Sequence, residues 1–586
     1  MHKQMETPVS RHIFMFAFKW NYMASSSKHK NEAYRKFSTK IDLLKFDEKI
    51  INLTQTIRND YKKSMWIRQT YEDEHIQDYN EYSYYYHNVR DAIYTNNPSD
   101  SVKEKKVNIY RCNITEEEKP QYIIKVLLKN HYNAEQQKHV DHTKESYVER
   151  EYTIDISKIE LKVYDTGVGI LSFFADNYNE ADIEDINRIN NYGRRIYPQF
   201  IKQQKGVLPT QKTKETYLAN QLSIKLGKDP SNCYTEMYSS DYETEGNRIS
   251  NSIMGLLGEG FKTGEDALRK HTEDIIAVSP LSDDRMFVIC WYVNKVLTAQ
   301  LKERERIEGK VYYSYIHNDK WYKYIFMEEE KSCQSHWMMQ KILKHHTYER
   351  WIEYGTLYGI SNCSFVCLTD GSEFAVQNIS VHMTTIYYQM MCLVLAQKAS
   401  ILRFEDELTD ISNHSKDIPI EAVEEVYQNY LQFINGIYFR EVTAQDQGIE
   451  LYTMAQHLMR IDIDVKELKE EIGQLFQYVS LRADKETNRA INALTYLNTL
   501  ILVPALVTGF FGMNIFGEGL RESWSITDYN KLIIWTCIWI ITVGLLPFAI
   551  IKNKCIQQLV KKIPETCRKL LPWIIIGGAV LIAILL

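Results

Sequence analysis

Residues 490–511 run without one charged side chain, and no other feature limits so strongly what the chain can fold into. A helix needs about 20 predominantly apolar residues to span a bilayer. A second uncharged run covers 532–551, with Trp535 and Trp539 near one end as interfacial anchors. A third, 570–586, is at the lower length limit for a span. The flanking charges orient these segments. Arg482, Lys485 and Arg489 precede the first, while Lys552, Lys554, Lys561, Lys562, Arg568 and Lys569 lie between the second and third. The loop joining the first two carries Glu518, Glu522 and Asp528. The positive-inside rule therefore expects a cytoplasmic N-terminal region and a short external loop. The third segment either crosses again or lies in the interface.

Another apolar stretch, 386–402, is interrupted by Gln389, Gln397 and Lys398 and followed by Glu405-Asp406-Glu407. Ionisable groups are costly in hydrocarbon, so this stretch is expected as a buried helix of the soluble part. The chain has 586 residues, which calls for two or more regions. A net charge of −6 with scattered basic residues gives no footprint for nucleic acid. The ten cysteines form no C-x-x-C pair and no zinc-spaced His/Cys cluster, and read as reduced, structural residues. The apolar run 13–18 leads into Lys19-Trp20 with no cleavage-like site, so it reads as a first β-strand and not a signal peptide.

Upstream of the first span, Leu458, Ile461, Val465, Leu468, Ile472, Leu475 and Val479 repeat at spacings of 3 and 4. This heptad stripe predicts a helix packed against other helices. With only Gly473 to weaken it, one helix is expected from about 458 to 512, roughly 80 Å at 1.5 Å per residue. Within the span, Asn488, Ile491, Thr495, Asn498, Leu502, Ala505, Gly509 and Gly512 keep the same spacing, with Asn492 off the stripe. Tight helix packing would account for the glycines but not for Asn488 and Asn498. Around a symmetry axis such groups can line a wet path.

Asn488-Arg489, then Pro504, then Phe510-Phe511-Gly512-Met513-Asn514 resemble the first membrane helix of the CorA magnesium-transporter superfamily. The order of parts is also similar: soluble domain, long helix, Gly-Met-Asn, short loop, second helix. The resemblance covers 451–551 and extends more loosely back to about 384. It implies a homopentamer with the pore on its axis, Asn514 forming a ring of carboxamides at the outer mouth and holding the hydrated metal ion. Gly512 would allow the backbone turn and Met513 would pack behind it. Asn488 and Leu494 match the family's inner polar ring and hydrophobic constriction, and Asn498 adds to the pore face. Magnesium dehydrates reluctantly, so neutral carboxamides can hold it with its water. Phe511 replaces the usual tyrosine and Ala505 a common pore threonine. The outer loop Ile515-Phe516-Gly517-Glu518 also departs from the family, which puts magnesium selectivity in question.

Strand-like runs at 13–18, 122–128, 159–164, 170–174, 286–293, 311–316, 322–326 and 363–368 alternate with helical stretches and predict an α/β domain. Asp165-Thr166-Gly167-Val168-Gly169 matches the adenine-binding box of the histidine-kinase/Hsp90 ATPase superfamily, but no Glu stands at the required helical position. A hairpin pairing 159–164 with 170–174 across a glycine turn is expected instead. Gly193-Arg194-Arg195, and Ser282-Asp283-Asp284-Arg285 before an apolar strand, are candidate ligand sites. Paired arginines clamp phosphate, and a neighbouring carboxylate can take a ribose hydroxyl or an amine. Together with His12-Ile13-Phe14 and 165–170, they resemble the CorA branch encoded beside type III CRISPR systems. In that branch an S-adenosylmethionine–AMP conjugate is thought to act on the cytoplasmic domain during antiviral defence.

The expected architecture is an α/β cytoplasmic domain with a long helical stalk and C-terminal transmembrane helices, assembled as a CorA-like homopentamer. Its parts are a sensor domain (1–380), a helical bundle and stalk (381–489), a pore helix (490–514), a second span (532–551) and a possible third segment (570–586). The expected function is a multi-pass cation channel of the inner (plasma) membrane and not an enzyme. A divalent cation, magnesium first, permeates or regulates it. A small nucleotide ligand, S-adenosylmethionine–AMP, binds Arg194, Arg195, Asp284 and Arg285. Its partners are the lipid bilayer and copies of itself, without direct nucleic-acid contact. The alternatives are a housekeeping magnesium or zinc transporter gated by cations at Asp462, Asp464 and Glu467, and a membrane-anchored ATPase.

Overall fold

The computed structural model describes residues 7–25, 41–51, 65–71, 76–94, 104–114, 119–129, 147–196, 219–227, 232–237, 249–263, 271–281, 285–307, 309–413 and 420–512, with 102, 266 and 267. Among them, fourteen strands join one sheet and two more form a separate hairpin. The sheet is built on β1 (Ser10–Met23), where every residue from Ile13 to Phe18 is buried. Such a continuous apolar run suits a strand covered on both faces. The expected strand at 13–18 is thus the centre of a longer one. Phe14, Phe16 and Phe18 point to one face, where Phe14 stacks on Tyr122 at 5.2 Å.

Along the chain follow β2 (Trp66–Gln69), β3 (Val107–Cys112), β4 (Gln121–Lys129), β5 (Tyr147–Tyr164) and β6 (Val168–Asn177). After them come β7 (Gln221–Lys225), β8 (Cys233–Met237), β9 (Phe261–Thr263), β10 (Ile275–Pro280) and β11 (Phe287–Val293). The hairpin strands are β12 (Arg304–Ile307) and β13 (Lys310–Tyr313), and β14 (Thr347–Tyr348), β15 (Thr356–Ile360) and β16 (Ser364–Thr369) complete the set. The main path runs β14-β15-β16-β11-β1-β6-β5-β4-β7-β8; β10 also pairs with β1, and β3 with β5. β11 and β16 are parallel, and β1 is antiparallel to both β6 and β11.

The expected hairpin is present: β5 and β6 pair in antiparallel register from Asp155↔Asp176 to Val163↔Gly169. Gly167 has φ +75°, a conformation that favours glycine. A Cβ there would meet Arg403 Nη1 at 2.2 Å. The turn is thus filled by an arginine of the chain itself, which favours the structural reading of this motif over the adenine-binding one.

Six helices matter for function: α1 (Ile183–Gly193), α2 (Asp319–Phe326), α3 (Ile386–Asn413), α4 (Ile420–Gly436), α5 (Asp446–Leu458) and α6 (Ile461–Gly512). Segment 322–326, expected as a strand, is the end of helix α2. Asn318 caps it by accepting from Trp321 N at 3.0 Å, and Trp321, Tyr322, Tyr324 and Ile325 bury one face. Aromatic enrichment suggests a strand, but the cap and the helical spacing prevail here. The strand expected at 311–316 stops at Tyr313, and a 3₁₀ turn, Ser314–His317, follows.

The stretch Ala375–Ser412, which takes in all but the last residue of α3, has the length and hydropathy of a membrane span, but 78% of its most apolar window is buried in the protein. It is a core helix, as the polar interruptions predict. Most of its buried polar groups find partners within the protein. Gln397 Nε2 donates to Ile437 O at 2.9 Å and to Tyr452 Oη at 2.8 Å, and Ser400 Oγ meets Thr166 Oγ1 at 2.9 Å. Arg403 donates to Trp20 O at 2.9 Å, Gly167 O at 2.6 Å, Asn21 Oδ1 at 2.8 Å and Glu407 at 2.8 Å.

Two compact units, Met1–Gly473 and Gln474–Leu586, make up the chain. The sheet and α1–α5 belong to the first. The helical region expected at 381–489 is therefore shared between the two.

Candidate functional site

The long helix begins later than its heptad stripe. α5 ends at Leu458, and Arg460 adopts φ +60°, which breaks the helix before Ile461. From Ile461 the 52 residues of α6 run without interruption to Gly512, about 78 Å. Ile461, Val465, Leu468, Ile472 and Val479 of the stripe are buried, as a packing seam requires.

Asn488, Leu494 and Asn498 are exposed on α6. At about 100° per residue, Asn488, Ile491, Thr495, Asn498 and Leu502 fall within an arc of about 80°, with Leu494 about 40° outside it. Gly512 is the last residue of α6. About 36 Å of helix separates it from Asn488, slightly more than the roughly 30 Å hydrocarbon core of a bilayer. The pore candidates Asn488 and Gly512 thus bracket one membrane thickness. Met513 and Asn514, like the segments 532–551 and 570–586, lie outside the described residues.

Two of the carboxylates considered for cation gating, Asp462 and Asp464, are already engaged, whereas Glu467 is exposed on α6. Asp464 pairs with Lys398 at 2.5 Å and with Arg460 at 3.5 Å, and Asp462 accepts from Tyr438 Oη at 3.0 Å. Among the described residues, no group of three or more His, Cys, Asp or Glu could hold a metal ion.

The second candidate centre forms where α1 ends. Asp182 caps α1 by accepting from Glu184 N at 3.0 Å. At the other end, Gly193 packs so closely that a Cβ would lie 2.9 Å from Phe14 and Ile124, and its carbonyl accepts from Tyr122 Oη at 2.7 Å. The chain leaving the helix is thereby fixed. Met286 N donates to Arg194 O at 2.7 Å, and Arg195 forms an antiparallel bridge with Arg285. The fold therefore brings together two arginine sites separated by some ninety residues in sequence. Asp284 lies outside the described residues.

Arg194 is 2% exposed. Its Nη2 donates to Met327 O at 3.4 Å, while Nε and Nη1 are buried without a hydrogen-bond partner among the described residues. Among the described residues no carboxylate pairs with it, and a guanidinium buried without a counter-charge costs several kcal/mol. Two asparagines of α1 share this incompleteness: Asn187 at both amide atoms and Asn190 at Nδ2. Asn190 Oδ1 is used, lying 2.7 Å from His12 Nδ1, while His12 Nε2 lies 2.8 Å from Ser10 Oγ. Asn177 Nδ2 donates to Ser10 Oγ at 2.8 Å, so the hydroxyl proton is free to serve His12 Nε2 and Nδ1 carries the ring proton. Burial lowers the His12 pKa to about 4, against the raising effect of Asn190. The ring is therefore neutral, and Arg194 is the positive group of this cluster.

Sequence reasoning found the arginines and missed Asn187 and Asn190. The available signal was helical spacing: 187, 190 and 194 fall on one face of a helix whose apolar residues are Ile183, Ile186 and Ile189. No curated protein and no solved structure matches the chain. Residues 418–553, which carry α4 to α6 and Gly512-Met513-Asn514, match the family described as CorA-like Mg2+ transporter protein, and this C-terminal region is CorA-like in sequence.

Proposed function

We propose that the protein is a CorA-like divalent-cation channel of the plasma (inner) membrane. In this reading it is a homopentamer, its N-terminal region is cytoplasmic, and S-adenosylmethionine–AMP bound at Arg194, Arg195, Asp284 and Arg285 gates it as a type III CRISPR antiviral effector. The observation that carries the channel reading is the coincidence of the CorA-like region with an uninterrupted helix ending on Gly512 of Gly-Met-Asn. Asn514 would hold hydrated magnesium at the outer mouth, and Asn488, Leu494 and Asn498 would line the path inward. The ligand reading is supported by the buried Arg194 guanidinium, with two donor nitrogens unpartnered among the described residues, beside the bridge that joins Arg195 to Arg285. Opening requires the conjugate to bind the open and closed states with different affinity.

The test is magnesium entry into liposomes that carry the full chain and an internal fluorescent indicator, with and without the conjugate. Calorimetry of the detergent-solubilised protein accompanies it. Conjugate-dependent entry is expected, lost in Asn514→Ala. Conjugate binding should be lost in Arg194→Ala/Arg195→Ala. Entry that ignores the conjugate would remove the gating reading, and no entry of any divalent cation would remove the channel reading.

A further inference from the structure

A half-open cleft of about 290 Å³ lies where β2, β3 and β5 meet, remote in sequence from both candidate centres. Its volume is at the lower end of the range for small-molecule sites. Ile67 and Ile114 give it an apolar wall, and Arg111, Asn113, Ser157 and Lys158 give it polar groups. β5 is irregular here: its pairing with β6 shifts register between Ile156 and Lys158, around Ser157. Such bulges re-aim side chains and are frequent beside binding sites.

The charge at this cleft is one-sided. Arg111 stands opposite Ile67 on β2 and opposite Glu160 on β5, yet its guanidinium makes no hydrogen bond or ion pair among the described residues. Lys158 Nζ meets Glu160 at 3.1 Å, and Lys162, on the same face of β5, is 1% exposed. Glu160 is itself 4% exposed, and Lys162 Nζ donates to Ile93 O at 3.1 Å and to Gln389. Of the two cations that line the cleft, Lys158 is thus held by Glu160, and Arg111 by no described residue. The other nearby carboxyl, Glu81, accepts from Gln389 and Tyr94, and it does not line the cleft. No carboxylate among the described residues lines the cleft. Two cations and no carboxylate at the rim of a half-open cleft with an apolar wall suit a ligand with one anionic head and a small apolar body.

We propose that this cleft binds a small organic anion, its phosphate or carboxylate head held by Arg111 and Lys158 with Asn113, and its apolar part lying on Ile67 and Ile114. The site is independent of Arg194. Occupancy would draw on Lys158, which neutralises Glu160 beneath α3, where Tyr388 Oη donates to Glu160 at 2.9 Å.

Phenyl phosphate is the probe, read by ligand-observed NMR saturation transfer on the detergent-solubilised full chain, with phenol as the neutral control and benzoate as the carboxylate arm. Binding with a dissociation constant below about 1 mM is expected, weakening with added salt and undetectable for phenol. Tighter binding of phenyl phosphate than of benzoate assigns a phosphate head, and the reverse a carboxylate head. Arg111→Gln, a change at an exposed side chain, should weaken binding at least tenfold, whereas Arg194→Ala should leave it unchanged. This separates the fate of the cleft from that of the nucleotide reading. No binding to the wild type, or equal binding by Arg111→Gln, overturns the proposal. Residues 116–118 are all glutamate. If only the variant with all three replaced by Gln binds the probe, the chain's own carboxylates are the occupant and the proposal also fails.

Discussion

Replacing Arg403 with methionine tests the junction between the sheet and α3. Arg403 is fully buried. It holds Glu407, and it donates to two main-chain carbonyls and to Asn21. Methionine fills much of the volume and removes every one of these bonds. Gly167 O keeps the bond from Trp20 N at 3.1 Å, whereas Glu407, 5% exposed and unpartnered at Oε2 among the described residues, loses the cation hydrogen-bonded to it. Breaking a buried ion pair from one side costs about 3–5 kcal/mol, because a buried charge is left uncompensated. We expect a loss in that range, read as a lower urea midpoint at unchanged m-value, followed by the fluorescence of the fully buried Trp20. The deficit should depend on pH. Burial raises the Glu407 pKa, and Arg403 opposes that rise. Without the arginine, the folded-state pKa rises further above the unfolded one. The variant should then lose stability as pH increases through that window and recover when Glu407 is protonated. Arg403→Met/Glu407→Met should regain at least half of the loss. A deficit below about 1 kcal/mol, or a double variant no more stable than the single one, would refute the reasoning.

Three further outcomes can be checked by the same unfolding assay. His12 has a folded-state pKa of about 4 against an ordinary 6.5, so the unfolded chain takes up the proton first and stability falls as pH drops through this window, by about 3 kcal/mol in full. In His12→Gln that part of the acid sensitivity should vanish; identical pH profiles would count against a buried neutral imidazole. Gly167→Ala should cost at least about 2 kcal/mol, because a left-handed φ coincides with a Cβ on Arg403. Gly309→Ala, at φ +79° with nothing within 4 Å, should cost about 1 kcal/mol, and equal losses would show that Arg403 does not fill the turn. Lys398→Met leaves Asp464, whose side chain is 10% exposed, with only the more distant Arg460. A loss of about 1–3 kcal/mol is expected, restored in part by Asp464→Asn; no measurable loss would mean that α3 does not anchor the root of α6.

Where periodicity and covalent constraint suffice, the sequence was explicit. The uncharged run 490–511 and its heptad approach predicted a long helix, and α6 runs uninterrupted to Gly512. The apolar run 13–18 predicted a strand, and Asp165–Gly169 a glycine hairpin, because strand patterning and a positive-φ turn are local properties. Polar interruptions in 386–402 identified α3 as a core helix, although its hydropathy matches that of a span. Local signals failed where two of them competed. Aromatic residues at 322–326 suggested a strand until the Asn318 cap closed a helix, and a left-handed Arg460 divides a stripe that reads as continuous.

Partnership, by contrast, was decided only by the tertiary structure. The sequence presents Arg194 and Arg403 alike, as single cations near apolar stretches. The fold satisfies Arg403 with four partners and leaves Arg194 buried with two nitrogens that no described residue pairs. It also joins Arg195 to Arg285 and places Arg111 in a cleft that no motif announced. Which charge is buried, and which group stands beside it, depends on contacts between distant segments. No local pattern encodes those contacts, and they separate an arginine fully engaged by its neighbours from one that its described neighbours leave partly unpaired.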